Sequence, residues 1–237
     1  MTMDVSVIVP ALNEEKNIAH SLKSIVKQDT IRDYEIIVSD GGSKDRTLEI
    51  AERWADKIVH SKKGIANGRN TGALAAKGDV LVFVDSDSRI PKNYIDSVVP
   101  VLEDKKISGL SCAFGFDRHS KTLKLIEDIC NRYLALKGME GKGEILGFNN
   151  AMRKTMFKKA GGFPDVPQED HVMARKLWKQ GRVVFLTEPK AITSSRRIDE
   201  RGTLDTVIYY SNLTLASTLP EFNFKGILKH KEYLPVR

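Results

Sequence analysis

The stretch GDVLVFVDSDSRIP, residues 78–91, limits what this chain can fold into more than any other. Five apolar residues, Val80 to Val84, follow one another without a polar break. An amphipathic surface strand would alternate. An unbroken β-branched and aromatic run of this length reads instead as a strand covered on both faces, the kind found in parallel sheets flanked by helices. The run then ends in two acids one residue apart, Asp85 and Asp87. Ligands of open α/β sheets bind beyond the carboxyl ends of the strands, so the paired carboxylates are either turn chemistry or the ligands of a cation.

The rest of the first half fits such a sheet. VSVIVP (5–10) reads as a first strand. Asn13 is the expected N-cap of the next helix, with Glu14 and Glu15 in its first turn, and that helix reaches about Gln28. YEIIVSD (34–40) is a second strand, SKDRTLEIAERWA (43–55) a helix, KIVHS a short third strand, and IANGRNTGALAA a helix with small residues on one side. Strand and helix alternating over short connections predict an α/β fold, a mostly parallel open sheet with flanking helices. Asn13–Glu14, Asp40–Gly41 and Asp85–Asp87 all follow strand ends, so they are expected on one rim.

The second half is less regular. ISGLSCAFGF (107–116) reads as a strand, LKLIEDICNRYLALK (123–137) as an amphipathic helix, and GEILGFNNAMRK as a loop and short strand. EDHVMARKLWKQG (169–181) is a helix with acids at its start and Gly181 as its expected C-cap. RVVFL and KAITS read as two short strands, and LDTVIYYSNLTLAS (204–217) as a last helix. The change of texture near residue 105 divides one expected domain, 1–220, into a nucleotide-binding half (about 1–105) and an acceptor half (106–220). A basic tail, 221–237, follows.

Composition narrows the function. The chain has 237 residues, 41% of them hydrophobic, enough to bury a sizeable core. No apolar run approaches the ~20 residues needed to cross a bilayer, and the N-terminus has no basic, apolar and small-residue succession of a signal peptide. Cys112 and Cys130 are the only cysteines, which reads as reduced thiols in a cytoplasmic protein. The net charge of +7 suits a phosphorylated substrate or an anionic membrane surface, or is spread over solvated faces such as RKLWKQGR. Nucleic acid is the least suited partner, because zinc-finger spacing, aromatic RNA-binding motifs and low-complexity basic arms are all missing.

Each candidate residue has a chemical and a structural reading. Residues i and i+2 of an extended chain point the same way, so Asp85 and Asp87 can share a hard cation such as Mg²⁺ or Mn²⁺; otherwise Asp87 or Ser88 caps the helix after Pro91. Asp40, followed by Gly41 and Gly42, can accept hydrogen bonds from a base or ribose, while Ser43, Asp45 and Thr47 read as first-turn residues. Arg69 is placed either to bind a diphosphate or to pair with an acid at the surface. Glu169 and Asp170 suit a helix N-terminus through its dipole alone. His171 is not assigned a ligand role.

In this order the motifs resemble the family 2 glycosyltransferases, which have the GT-A fold. VSVIVPALNEEKNI, SDGGSKDRT, GRNTGALAAKGDVLVFVDSD and GGFPDVPQED carry the resemblance over roughly residues 4–200, and AITSSRRIDERG is similar to a small bacterial and archaeal subgroup without membrane helices. The resemblance implies an inverting, metal-dependent transfer of a sugar from a nucleotide-diphospho-sugar to an acceptor. It implies that Pro10, Ala11, Asn13, Glu14, Asp40, Gly41, Arg69, Asp85 and Ser86 border the donor. Asp85 and Asp87 would hold Mg²⁺ or Mn²⁺, and Asp170 would be the general base. Many relatives have a second acid where this chain has Gly41. A retaining enzyme and a catalytically silent binding module are the alternatives. Arg196 and Arg197 either close over the diphosphate or pair with Asp199 and Glu200. The acceptor is unidentified; RYLALKGME and Lys225, Lys229 and Lys231 suit a lipid-linked acceptor at an anionic membrane, a homodimer contact or solvent.

Overall fold

The computed structural model describes residues 5–202. Residues up to Thr193 form one compact unit, and Ser194–Gly202 are the described part of a second. The first unit runs β1 (Val5–Ala11), α1 (Ile18–Val26), β2 (Tyr34–Asp40), α2 (Thr47–Ala51), β3 (Lys57–His60), α3 (Ile65–Ala75), β4 (Val80–Val84), β5 (Ser88–Arg89), α4 (Tyr94–Glu103), β6 (Ile107–Phe116), α5 (Lys121–Met139), β7 (Asn149–Arg153), α6 (Lys154–Ala160), α7 (Glu169–Trp178) and β8 (Arg182–Thr193). The second contains α8 (Arg196–Arg201). The expected helix at 204–217 and the basic tail with Lys225, Lys229 and Lys231 lie outside the described residues, as does the side chain of Arg197.

The strands form one eight-stranded sheet in the order β3-β2-β1-β4-β7-β6-β8-β5. β3, β2, β1 and β4 are parallel. β7 runs antiparallel to both β4 and β6, and β6 and β8 are again parallel. The two expected halves therefore share a single sheet, stitched at β7. Its register pairs Val84 with Asn149 and Val80 with Arg153, which sets the start of β7 beside the carboxyl end of β4.

The apolar run in β4 is buried on both sides, as its composition requires. Val80, Val82 and Val84 face a core with Leu22, Ile25 and Ile95 of α1 and α4. Leu81 and Phe83 face the other core, with Phe157, Met173 and Leu177 of α6 and α7. Small residues matter on that second face. A Cβ on Gly68 would lie 3.0 Å from the Pro10 side chain, and one on Gly72 only 2.4 Å from Ile8 Cγ2. α3 can therefore lie close against β1. Gly72→Val is expected to destabilise the fold by about 2 kcal/mol or more through overpacking, read as a lower urea midpoint. An unchanged midpoint would mean that α3 stands farther from β1.

Several element boundaries differ from the sequence reading. α1 starts at Ile18, with Asn17 in the N-cap position. Asn13 sits in the left-handed region, φ 55°, inside the preceding loop, a conformation asparagine tolerates better than most residues. α2 is confined to Thr47–Ala51 because Ser43 and Asp45 bond to the β1–α1 loop instead. RVVFL and KAITS belong to one strand. Leu186 pairs with Cys112 and Ala191 with Phe114, so residues 187–190 bulge opposite a single residue of β6. α7 ends at Trp178. Gly181 serves a close approach rather than a cap, since a Cβ there would meet the Lys106 carbonyl oxygen at 2.6 Å.

Candidate active site

Because β2, β1 and β4 are adjacent and parallel, the three polar clusters do leave the sheet at one edge. Neighbouring strands are about 4.8 Å apart, so the ends of β2 and β4 are separated by roughly 10 Å, with Pro10 and Ala11 of β1 between them.

The β1–α1 and β2–α2 loops are laced together. The Asn13 N–H donates to Ser43 Oγ at 2.9 Å, and Asn13 Oδ1 accepts the Lys44 N–H at 2.8 Å. The Glu14 N–H donates to Thr47 Oγ1 at 2.7 Å, while Glu14 Oε2 accepts from Asn17 Nδ2. Asp40 is 1% exposed. Its carboxylate accepts the N–H groups of Gly42 (2.9 Å) and Ser43 (3.1 Å), closing the turn after β2. Gly42, at φ 94°, makes that turn. A Cβ on Gly41 would meet only ordinary van der Waals contacts, the nearest the Ala11 carbonyl oxygen at 3.6 Å.

The Asp85–Asp87 stretch corrects the sequence reading of an extended pair. The chain turns here: the Ser88 N–H donates to the Asp85 carbonyl at 2.9 Å. Strand alternation therefore does not align the two carboxylates. Ser86 is buried, and Ser88 Oγ lies 3.0 Å from Thr193 Oγ1. Asp87 caps no helix, since α4 begins only at Tyr94 with Asn93 before it.

Arg69 is not a surface residue. It is 2% exposed on α3. Nη2 donates to Asp85 Oδ1 at 3.0 Å and Nη1 to Glu169 Oε1 at 2.5 Å, while the guanidinium carbon lies 5.3 Å from the centre of the Phe163 ring. Burial alone would lower the Arg69 pKa, but Asp85, Glu169 and Asp170 outweigh it and hold it above its ordinary value. Burial raises the Glu169 pKa, with the Asp170 charge adding to it and Arg69 opposing it. The guanidinium thus ties the end of β4 to the start of α7, across the two halves of the sheet.

Asp170 is held beside that bridge. Oδ2 accepts the Gly147 N–H at 3.2 Å, and Oδ1 accepts the His171 N–H at 2.8 Å. Gly147 has to be glycine, because a Cβ would stand 2.3 Å from Arg69 Nη2. The turn that presents it is fixed by Asn150, whose Nδ2 donates to the carbonyls of Leu146 and Gly147, and by buried Asn149, which accepts from the Tyr94 hydroxyl at 2.6 Å. His171 turns to Glu144 (2.8 Å), which also pairs with Lys137 (2.7 Å), so it is engaged within the protein. Burial would raise the Glu144 pKa, but the hydrogen bonds from His171 and Lys137 prevail and lower it.

The sheet order, the loops over its carboxyl edge and the acids gathered there define a GT-A glycosyltransferase fold. Solved structures with this architecture include S. aureus TarS 1–349 in complex with UDP-GlcNAc, at TM-score 0.66 and 22% identity over 81% of this chain and 59% of that one. Another is the mannosyltransferase PcManGT of Pyrobaculum calidifontis in complex with GDP-Man and Mn²⁺, at TM-score 0.66 and 25% identity over 79% of this chain and 56% of that one. Residues 6–161 match the family described as Glycosyl transferase family 2. The chain belongs to that family. Among curated relatives, the "Probable glycosyltransferase YdaM" of Bacillus subtilis is 31% identical over 209 residues, 80% of this chain and 50% of YdaM. The chain spans between about a quarter and a half of the length of the first curated relatives it matches.

The site residues read from sequence thus divide by what the structure does with them. Asp85, Arg69 and Asp170 meet directly or through Glu169 and Gly147. Pro10, Ala11, Asn13, Glu14, Asp40 and Gly41 lie on the neighbouring loops and strand ends. Glu169 was read only as a helix N-terminal acid, and Gly147, Asn149 and Asn150 were not singled out. Glu169 looked like a dipole residue, and its pairing with Arg69 spans 100 positions that no local pattern records. The adjacent asparagines of GFNN, residues 147–150, were the available signal for the other three.

Proposed function

We propose that this chain is an inverting, divalent-metal-dependent glycosyltransferase. It moves a sugar from a nucleotide-diphospho-sugar to an acceptor hydroxyl or phosphate. One observation carries the reading: buried Arg69 joins Asp85, at the end of the donor-half strand, to Glu169, beside Asp170 at the start of α7. Family membership, and the complexes of PcManGT with GDP-Man and Mn²⁺ and of TarS with UDP-GlcNAc, support the donor class.

Asp170 is the general base. It removes the acceptor proton as the acceptor oxygen bonds to the anomeric carbon from the face opposite the leaving group. The bond from that carbon to the diphosphate oxygen breaks, its electron pair stays on the diphosphate, and nucleoside diphosphate is released with inversion. The Gly147 N–H on Oδ2 keeps the carboxylate turned to the acceptor. Pro10, Ala11, Asn13, Glu14, Asp40, Gly41 and Ser86 border the donor. Arg69 positions Asp85 at the border of the donor through the bond to its carboxylate.

Asp85 and Asp87 would offer hard oxygen ligands to Mg²⁺ or Mn²⁺, Asp85 through the oxygen that Arg69 does not hold. Mg²⁺ commonly takes one or two carboxylates, with substrate phosphates completing its shell. When bound, the ion would stabilise the charge growing on the leaving diphosphate.

The test is a mass-spectrometric screen of nucleotide-sugars with Mg²⁺ and with Mn²⁺. The expected product is free nucleoside diphosphate with at least one donor, abolished in Asp87→Ala while circular dichroism is unchanged. Pyrophosphate as product, or undiminished turnover in Asp87→Ala, would overturn the metal-dependent transfer. An unaltered anomer by NMR would overturn inversion.

A further inference from the structure

α5 is apolar on two sides. Its inner side, with Leu123 and Leu134, packs on the sheet, and Glu127 Oε1 accepts the Phe116 N–H from β6 at 2.7 Å. Its outer side should then be polar. It is not. Leu125 is 61% exposed, Ile129 59%, Leu136 64% and Met139 76%, with Tyr133 at 42%. These are five of the nine large hydrophobic residues exposed among the described residues. The spacings of four, four, three and three keep them on one helical stripe, about 21 Å long at 1.5 Å per residue.

The charges beside the stripe are mainly positive. Lys121, Lys124 and Arg132 are exposed on the same helix. Of the acids here, Asp128 is neutralised by Lys124 at 3.0 Å, with Lys124, Lys190 and Arg132 together holding it below the usual carboxylate range, and Glu140 lies at the helix C-terminal cap. A second copy of this face would bring like charges together. An anionic surface would not.

We propose that the outer face of α5 is a docking surface for an anionic lipid bilayer. Leu125, Ile129, Leu136 and Met139 enter the headgroup–acyl boundary, and Lys121, Lys124 and Arg132 rest among the anionic headgroups, the arrangement of an interfacial amphipathic helix. No helix among the described residues is long and apolar enough to cross a membrane, so α5 lies on the bilayer. β6 and β4 both run antiparallel to β7, so β6 ends at the same edge of the sheet as the Asp85 loop, and α5 begins at Lys121, shortly after that end. Docking along α5 therefore brings the acceptor half to the bilayer, where an acceptor on a lipid phosphate would be met. Docking itself does not depend on the transfer reaction.

The experiment is flotation of the full chain with vesicles of phosphatidylcholine alone or with 30% (roughly, a common anionic content) phosphatidylglycerol, without donor or acceptor. Binding is expected to the anionic vesicles only and to weaken as salt is raised. Lys121→Gln and Arg132→Gln should each lower the partition coefficient about fivefold. Leu125→Ser combined with Leu136→Ser should lower it at least ~10-fold and leave the thermal midpoint unchanged, because both side chains are exposed. Absence of binding at low ionic strength overturns the proposal. So does a dimer in analytical ultracentrifugation that the Leu125/Leu136 variant dissociates, since that would assign the face to a second copy.

Discussion

Replacing Arg69 with methionine is expected to destabilise the fold by about 3 kcal/mol, because it leaves two part-buried carboxylates, Asp85 and Glu169, without their counter-charge. Arg69 Nη2 and Nη1 each serve a different acid, Asp85 and Glu169, inside a region 2% exposed at the guanidinium. The deficit should depend on pH, with a definite sign. Burial already raises the Glu169 pKa while Arg69 opposes it; without Arg69 the folded-state value rises further above the unfolded one. The folded variant then binds more protons than its unfolded chain, so its stability falls as pH rises through that range. Urea unfolding at pH 5 and pH 8 should therefore show a larger Arg69→Met deficit at pH 8. A deficit equal at both values would mean that the guanidinium acts by packing on Phe163 rather than by charge. Arg69→Lys restores charge but not the two-pronged geometry, and should fall between the two.

That buried bridge marks the limit of what could be read from residues alone. β1, β2 and β4 declare themselves locally, since a continuous Val/Ile run is a two-face-buried strand in almost any context, and the shared edge follows from strand order. Asp85 and Asp170 could be placed by motif. What the pattern could not supply was the return of β7 between β4 and β6. That return is decided by non-local pairing and puts GFNN beside the end of β4. With β7 in place, Arg69 meets Glu169 instead of solvent. The same non-locality explains Asn13: read along the chain it looks like a helix cap, but its Oδ1 finds the Lys44 N–H, 31 residues away. Helix α5 shows the opposite failure. Its pattern was read as one apolar face against one polar face, whereas the helix presents apolar residues inward and outward, and periodicity cannot tell a core stripe from an exposed one.

Within the proposed reaction, the largest kinetic effect belongs to Asp170. Asp170→Asn keeps an oxygen for the Gly147 N–H and nearly the same volume but gives up the acceptor of the His171 N–H, so the loop from Glu144 to Asn149 should stay in place and thermal stability should fall only slightly. The amide cannot take the acceptor proton, and kcat is expected to fall about 10²–10⁴-fold, with donor KM little changed because Asp170 is assigned to the acceptor side. Glu169→Gln separates chemistry from position. Glu169 touches Arg69, so its loss frees one arm of the guanidinium and lets Asp85 shift. That variant should raise donor KM and lower stability more than it lowers kcat. If Asp170→Asn turned over at the parent rate while Glu169→Gln lost kcat, Glu169 would be the base and the carboxylate at 170 merely an anchor for Gly147. The bridge to Arg69 argues against that exchange of roles, since Glu169 is tied to a buried guanidinium and its side chain is only 12% exposed, which holds it away from a substrate proton.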